Sequence, residues 1–220
     1  MKKNLLWISI VSTLIAVVNL IVYTILGCLD IVEMRYLSYL FILGYLVCAW
    51  IPFLLNLIFK TKFGLAVVIS YQIFLILSLL VGSLWQVYKL WTPFDKIVHF
   101  GSGVMIALLA YALFKESKNN KISLFWLFML TFSIAMMCGG VWEIWEFTTD
   151  ILFHNDAQIT EDLIGRMAIM DTMYDIICDF VGGLIGATIS VLLEWKKRKT
   201  KEDPAENLPK IDSVQNDENA

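Results

Sequence analysis

Charge is scarce in this 220-residue sequence: 17% of it is Asp, Glu, Lys or Arg, against 59% hydrophobic. Soluble domains are about half apolar and about a quarter charged. A mean hydropathy of +0.72 therefore excludes a water-soluble globular fold, because so much apolar surface could not be hidden. Cysteine is sparse too. Cys28, Cys48, Cys138 and Cys178 lie in or at the ends of apolar runs and form no C-x-x-C pair, which leaves them as small buried hydrophobes rather than zinc or redox groups. Glycine-rich phosphate loops and internal repeats are absent. The apolar stretch after Lys2 and Lys3 lacks the small-residue cleavage pattern of a signal peptide and is expected to stay as a first helix.

What is present is a succession of apolar runs, each long enough to cross a hydrocarbon core of about 30 Å. They predict an all-α integral membrane protein of about six transmembrane helices at 4–28, 36–59, 63–86, 97–114, 122–147 and 171–195. The amphipathic, aromatic stretch from Trp85 to Trp91 marks a helix leaving the lipid, and Thr92-Pro93 starts the next. All but four of the 17 Lys and Arg residues fall on one side of this arrangement, the four being Arg35, Lys89, Lys96 and Arg166. Both termini are accordingly expected in the cytoplasm, with the chain in a bacterial inner membrane. Residues 1–200 form the helical domain, and the polar stretch 201–220 reads as a disordered cytoplasmic tail. Membrane lipids are the expected surroundings. Nucleic acid is not an expected partner, because the basic residues stand where topology alone puts them.

Ionisable residues collect at three helix ends on the side opposite the termini. Asp95 and His99 are four apart; Glu143, Glu146 and Asp150 follow i, i+3, i+7; Asp171, Asp175 and Asp179 follow i, i+4, i+8. Each set shares one helix face. Counting about 24 Å inward from Lys115 and from Trp195, at 1.5 Å per residue, places His99 and Asp179 about 6 Å inside the outer boundary. Carboxylates at that depth must face the bundle interior or a wet cavity and find partners. Lys96, one step round the helix from Asp95, is expected to snorkel outward or pair locally. Gly101 to Gly103, Gly139 and Gly140, and Gly182, Gly183 and Gly186 sit beside these polar ends, where small residues let helices approach. Trp85, Trp91, Trp142 and Trp145 read as interfacial anchors rather than a ligand cage.

Crowded like charges can persist if some are protonated, if a cation neutralises them, or if Arg166 folds over them. Charges that merely pair with one another and cap helices are a further reading. An oxygen-rich shell with one imidazole suits Mg²⁺, Mn²⁺, Ca²⁺ or Fe²⁺, with Zn²⁺ also possible. Asp95, His99, Glu143, Glu146, Asp175 and Asp179 are the candidate ligands, with Asp150 and Asp171 at the rim. If the site is catalytic, His99, Asp95 and Glu146 are the candidate groups, with a bound ion polarising a phosphoryl or carbonyl oxygen. His154, Asp156, Gln158, Glu161 and Asp162 lie in a loop read as a solvated cap.

The pattern Asp95-Lys96-x-x-His99-Phe100, Glu143-x-x-Glu146 and Asp171-x-x-x-Asp175-x-x-x-Asp179-x-x-Gly182 resembles the YjdF-type bacterial membrane proteins. More distantly it is similar to VanZ-like proteins, in which Gln stands in place of Glu146 and Asn in place of Asp179. The resemblance covers residues 95–186. What it implies is modest: some VanZ-like members are associated with glycopeptide resistance, and no particular reaction follows. A site near the outer leaflet acting on a lipid or lipid-linked envelope component, as a metal-assisted hydrolase or transferase, is one reading. A proton- or cation-coupled transporter and a non-catalytic binding or scaffold protein are the others; for a transport path, Asn19 and Gln72 are the main polar residues deeper in the spans, with Asn56 near their cytoplasmic end.

Overall fold

The structure is a computed structural model that describes residues 2–60, 63–115, 122–153 and 166–202. Every regular element among them is helical. Helix α1 runs Lys2–Cys28, α2 Tyr36–Phe59 and α3 Leu65–Leu75, continuing as a π-helical stretch Ile76–Leu84. A short α4, Val87–Leu90, precedes α5 Pro93–Lys115, α6 Leu124–Phe153 and α7 Arg166–Glu202. Among the described residues, six helices are long and apolar enough to cross a membrane. The chain is a multi-pass membrane protein.

Local chemistry accounts for several ends. α2 stops where Lys60 turns left-handed (φ 57°). α5 begins on Pro93, whose missing N–H is no loss in a first turn, and carries Asp95 near its start and Lys115 near its end, each favoured there by the helix dipole. In the π stretch the Trp85 amide donates to the Leu80 carbonyl at 2.9 Å, five residues back, and the Ser83 hydroxyl to the Ser78 carbonyl. Gln86 then turns left-handed (φ 58°) and releases the chain. Helices α6 and α7 outrun the apolar windows at both loop-side ends, because polar residues continue a hydrogen-bonded helix beyond the hydrocarbon as readily as within it. The last helix includes Lys201 and Glu202, and the remainder of the polar tail lies outside the described residues.

The helices form two three-membered groups, α1–α2–α3 and α5–α6–α7, which meet chiefly along α3 and α5. Outward faces are apolar, as at Leu14, Val47, Val141 and Ile144, because lipid is their solvent. Inside, polar side chains bond helix to helix. In the first group Ser12 donates to Gln72 Oε1 (3.0 Å), Gln72 donates to the Ala49 carbonyl (2.8 Å) and Trp85 donates to Asn19 Oδ1 (2.9 Å). Trp85 thus anchors an interior bond as well as an interface.

The second group is drawn together by glycine. A Cβ on Gly103 would stand 2.5 Å from the Asp179 carbonyl oxygen, one on Gly186 2.6 Å from that of Val104, and one on Gly182 would fall on the Phe100 carbonyl. Backbone therefore meets backbone along α5 and α7. Gly101 and Gly140 face open space, so they do not share this role. This predicts opposite signs for one chemical change: Gly182→Ala should cost roughly 1–3 kcal/mol by overpacking. Gly140→Ala should be neutral or stabilise by about 0.5–1 kcal/mol through helix propensity. Thermal unfolding of both variants in detergent checks this, and a stabilised Gly182→Ala would contradict the close approach.

The uneven distribution of Lys and Arg also predicts orientation. Reporter fusions at the C-terminus should report cytoplasm, and fusions within 155–165 the opposite side. A cytoplasmic signal from that loop would reverse the orientation and move the acidic helix ends to the inner leaflet.

Candidate metal centre

α5 supplies Asp95, Lys96, His99 and Ser102, α6 supplies Trp142, Glu143 and Glu146, and α7 supplies Asp171, Asp175 and Asp179. The tight α5–α7 contact sets the two helices in register, so that Ser102 and His99 face Asp179. Gly139 on α6 leaves the room that the Asp179 carboxylate fills, since a Cβ there would overlap it. Asp95, His99, Glu143, Glu146, Asp175 and Asp179 are all buried, Asp175 completely.

His99 organises the cluster. Its Nδ1 lies 3.1 Å from Asp179 Oδ2, and the other oxygen of Asp179 accepts from Ser102 at 2.8 Å. An acceptor-only carboxylate against Nδ1 places a proton there and orients the ring. Nε2 then faces the opposite way, 3.6 Å from Glu143 Oε1, 3.7 Å from Asp95 Oδ1 and 3.9 Å from Asp175 Oδ1. These separations exceed hydrogen-bonding distance. They match the spacing of donors around a shared ion, since two atoms each about 2.1 Å from a metal stand about 3 Å apart at right angles and about 4.2 Å apart when opposed. Two triads, Asp95–His99–Asp175 and His99–Glu143–Glu146, hold donor atoms within 4.8 Å of one another.

Three oxygens in this space lack a hydrogen-bond partner: both of Glu143, a residue only 4% exposed, and Oδ1 of Asp175. A buried, unpartnered carboxylate oxygen is costly, and it is compensated by a proton or a cation. Asp179 stands apart from this set, because both its oxygens are engaged behind the imidazole. It braces His99 rather than facing the space beyond Nε2.

Lys96 does not snorkel outward. Its ammonium lies 3.1 Å from Asp95 Oδ2, 2.5 Å from Asp171 Oδ1 and 2.7 Å from Asp175 Oδ2. Arg166, in contrast, is exposed at the start of α7; among the described residues, Lys96 is the basic side chain paired with Asp95, Asp171 and Asp175. Asp171 stays at the edge, but Asp150 is buried, 1% exposed, rather than at a rim. Trp142 goes beyond an anchor's role: 42% exposed, it donates its indole N–H to Glu146 Oε1 at 2.7 Å. From outside the spans comes Tyr88, whose ring lies where a Gly82 side chain would be. Burial, reinforced by the charges of Asp95, Glu146 and Asp175, pushes its phenol well above the usual range. The loop residues His154, Asp156, Gln158, Glu161 and Asp162 lie outside the described residues.

Helices of this length and composition define a multi-pass membrane protein with a buried carboxylate–histidine cluster between its last three spans. The chain belongs to the family described as Predicted membrane protein (DUF2238), which it matches over residues 9–196. The YjdF-type proteins are this family, and the match takes in the first three spans as well as 95–186; the likeness to VanZ-like proteins gains no support. An uncharacterized protein of Thermotoga maritima is 30% identical over 106 residues, 46% of this chain and 49% of that protein. The match thus spans about half the length of this curated relative. No solved structure matches the chain.

Proposed function

We propose that this protein binds a divalent cation between His99 Nε2 and the carboxylates of Asp95, Glu143 and Asp175, and uses it on a lipid or lipid-linked component of the bacterial envelope. The observation that carries the reading is the set of unpartnered buried oxygens facing Nε2, on a ring whose other nitrogen is braced by Asp179. A carboxylate behind a metal-binding imidazole is the usual means of fixing its tautomer and raising its basicity. The imidazole favours Mn²⁺, Fe²⁺ or Zn²⁺ over Mg²⁺ or Ca²⁺, which prefer all-oxygen shells.

A bound ion would polarise a phosphoryl or carbonyl oxygen and activate a water. With His99 committed to the ion, proton transfer falls to a carboxylate, and Glu146, oriented by Trp142, is best placed for it. Lipid-like substrates are favoured because Trp142 joins the exposed surface directly to Glu146, and because the expected topology puts the centre near the outer leaflet. Below it, α5 and α7 are closed backbone against backbone at Gly103, Gly182 and Gly186, and Asn19 and Gln72 are held in helix-to-helix bonds. These features favour chemistry or binding at one side over a carrier.

The test is the purified protein in sealed vesicles of bacterial lipid extract with Mn²⁺. The expected result is a mass change in the lipid or lipid-linked fraction that His99→Ala abolishes, without accumulation of radioactive Mn²⁺ inside. His99-dependent accumulation would replace this reading with transport, and neither effect would leave a non-catalytic binding protein.

A further inference from the structure

We infer, building on the metal reading above, that Lys96 holds the second cation position of this centre, so that it takes one exchangeable divalent ion where its carboxylates are laid out for two. Asp95 and Asp175 each divide their oxygens. One oxygen of each lies against the Lys96 ammonium, Oδ2 at 3.1 and 2.7 Å, while the other faces His99 Nε2, Oδ1 at 3.7 and 3.9 Å. Carboxylates shared in this way between two positive positions are the bridging ligands of two-metal sites, whose ions stand about 3.5–4 Å apart. Asp171 closes the far side of the Lys96 position, as an end ligand would.

An ammonium offers three hydrogens, and Asp95, Asp171 and Asp175 take all three. Lys96 is therefore not free to receive an anionic headgroup, although a lone lysine at a membrane boundary would suit one. A phosphate or carboxylate on the substrate must meet the divalent ion itself. Because the lysine is covalently fixed, one to three residues from Asp95 and His99, chelation cannot remove it. It keeps Asp95 and Asp175 in place with or without the ion.

The experiment is Mn²⁺ binding to the full chain in detergent, read by stoichiometry and by electron paramagnetic resonance. Wild type should saturate at one Mn²⁺ per chain with the hyperfine sextet of an isolated ion. Lys96→Gln should bind two with an exchange-coupled spectrum, and Lys96→Gln combined with Asp171→Asn should return to one. A Lys96→Gln protein that binds a single isolated ion overturns the inference, as does wild type binding an exchange-coupled pair. If Lys96→Gln does not fold even in Mn²⁺, the wild-type arm decides: a single ion supports the inference, and a coupled pair ends it. Wild type that binds no Mn²⁺ contradicts the metal reading itself, a result distinct from either.

Discussion

His99→Ala is expected to weaken Mn²⁺ binding by more than about 100-fold, because even the outer partner of a metal-binding histidine is worth about 10–100-fold. The imidazole contributes the one nitrogen donor, and it is shared by both triads of donor atoms. Losing it breaks both. Asp179→Asn should show the smaller effect: the carboxamide can still accept from Nδ1–H, and the brace is weakened rather than removed. Binding isotherms on the two variants separate these roles. Equal losses would mean that Asp179 faces the ion, as its place among the acidic helix ends suggests before its two bonds are known.

Glu143→Met should change stability with opposite signs in the presence and absence of metal. Without the ion, wild type buries two carboxylate oxygens that find no hydrogen bond. A buried polar group left without a hydrogen bond costs about 1–3 kcal/mol, more when it is charged, and an apolar side chain of similar size removes that cost. With the ion, wild type recovers that loss and adds the binding free energy, whereas Glu143→Met lacks a ligand. The apo variant should therefore melt at or above apo wild type in detergent, and the Mn²⁺-treated variant well below Mn²⁺-treated wild type. A variant that is less stable in both conditions would make Glu143 a structural residue.

Faces were readable from spacing, and rotations were not. The i, i+4 relation of Asp95 and His99, or of Asp171, Asp175 and Asp179, depends only on helix geometry, so each acidic face could be drawn without coordinates. Which way each face turns depends on inter-helix packing, and here the decisive contacts are the Gly103, Gly182 and Gly186 approaches, indistinguishable in sequence from Gly101 and Gly140. The local pairing expected of Lys96 is there, with Asp95, but its reach to Asp171 and Asp175 was not legible for a related reason. Its Cα points away from Asp95, but it sits in the first turn of α5, where side chains tilt toward the open end and a four-carbon stem can swing back over the neighbouring helix. Asp150 shares a face with Glu143 and Glu146, but how deeply it is covered depends on packing, which spacing does not give. The π stretch Ile76–Leu84 has no signature among Leu, Val and Ser residues. Ser102 and Trp142 read in sequence as a small residue and an anchor, yet each lies on the same face as a charged residue, Ser102 three after His99 and Trp142 four before Glu146, which is the signal for their polar roles.

Whether the cluster holds a divalent cation is decided by metal analysis combined with thermal unfolding. The full chain purified without chelator should carry a divalent metal; stripping it with chelator should lower the melting temperature, and returning Mn²⁺ should restore it. An ion at 100 times its Kd stabilises by about 2.7 kcal/mol. Asp156→Ala, outside the set of candidate ligands, should leave that response unchanged. A purified protein without metal, whose melting temperature is moved by none of Mg²⁺, Mn²⁺, Ca²⁺, Fe²⁺ or Zn²⁺, would mean that the cluster holds no cation and that protons on the buried carboxylates, with Lys96, balance their charge.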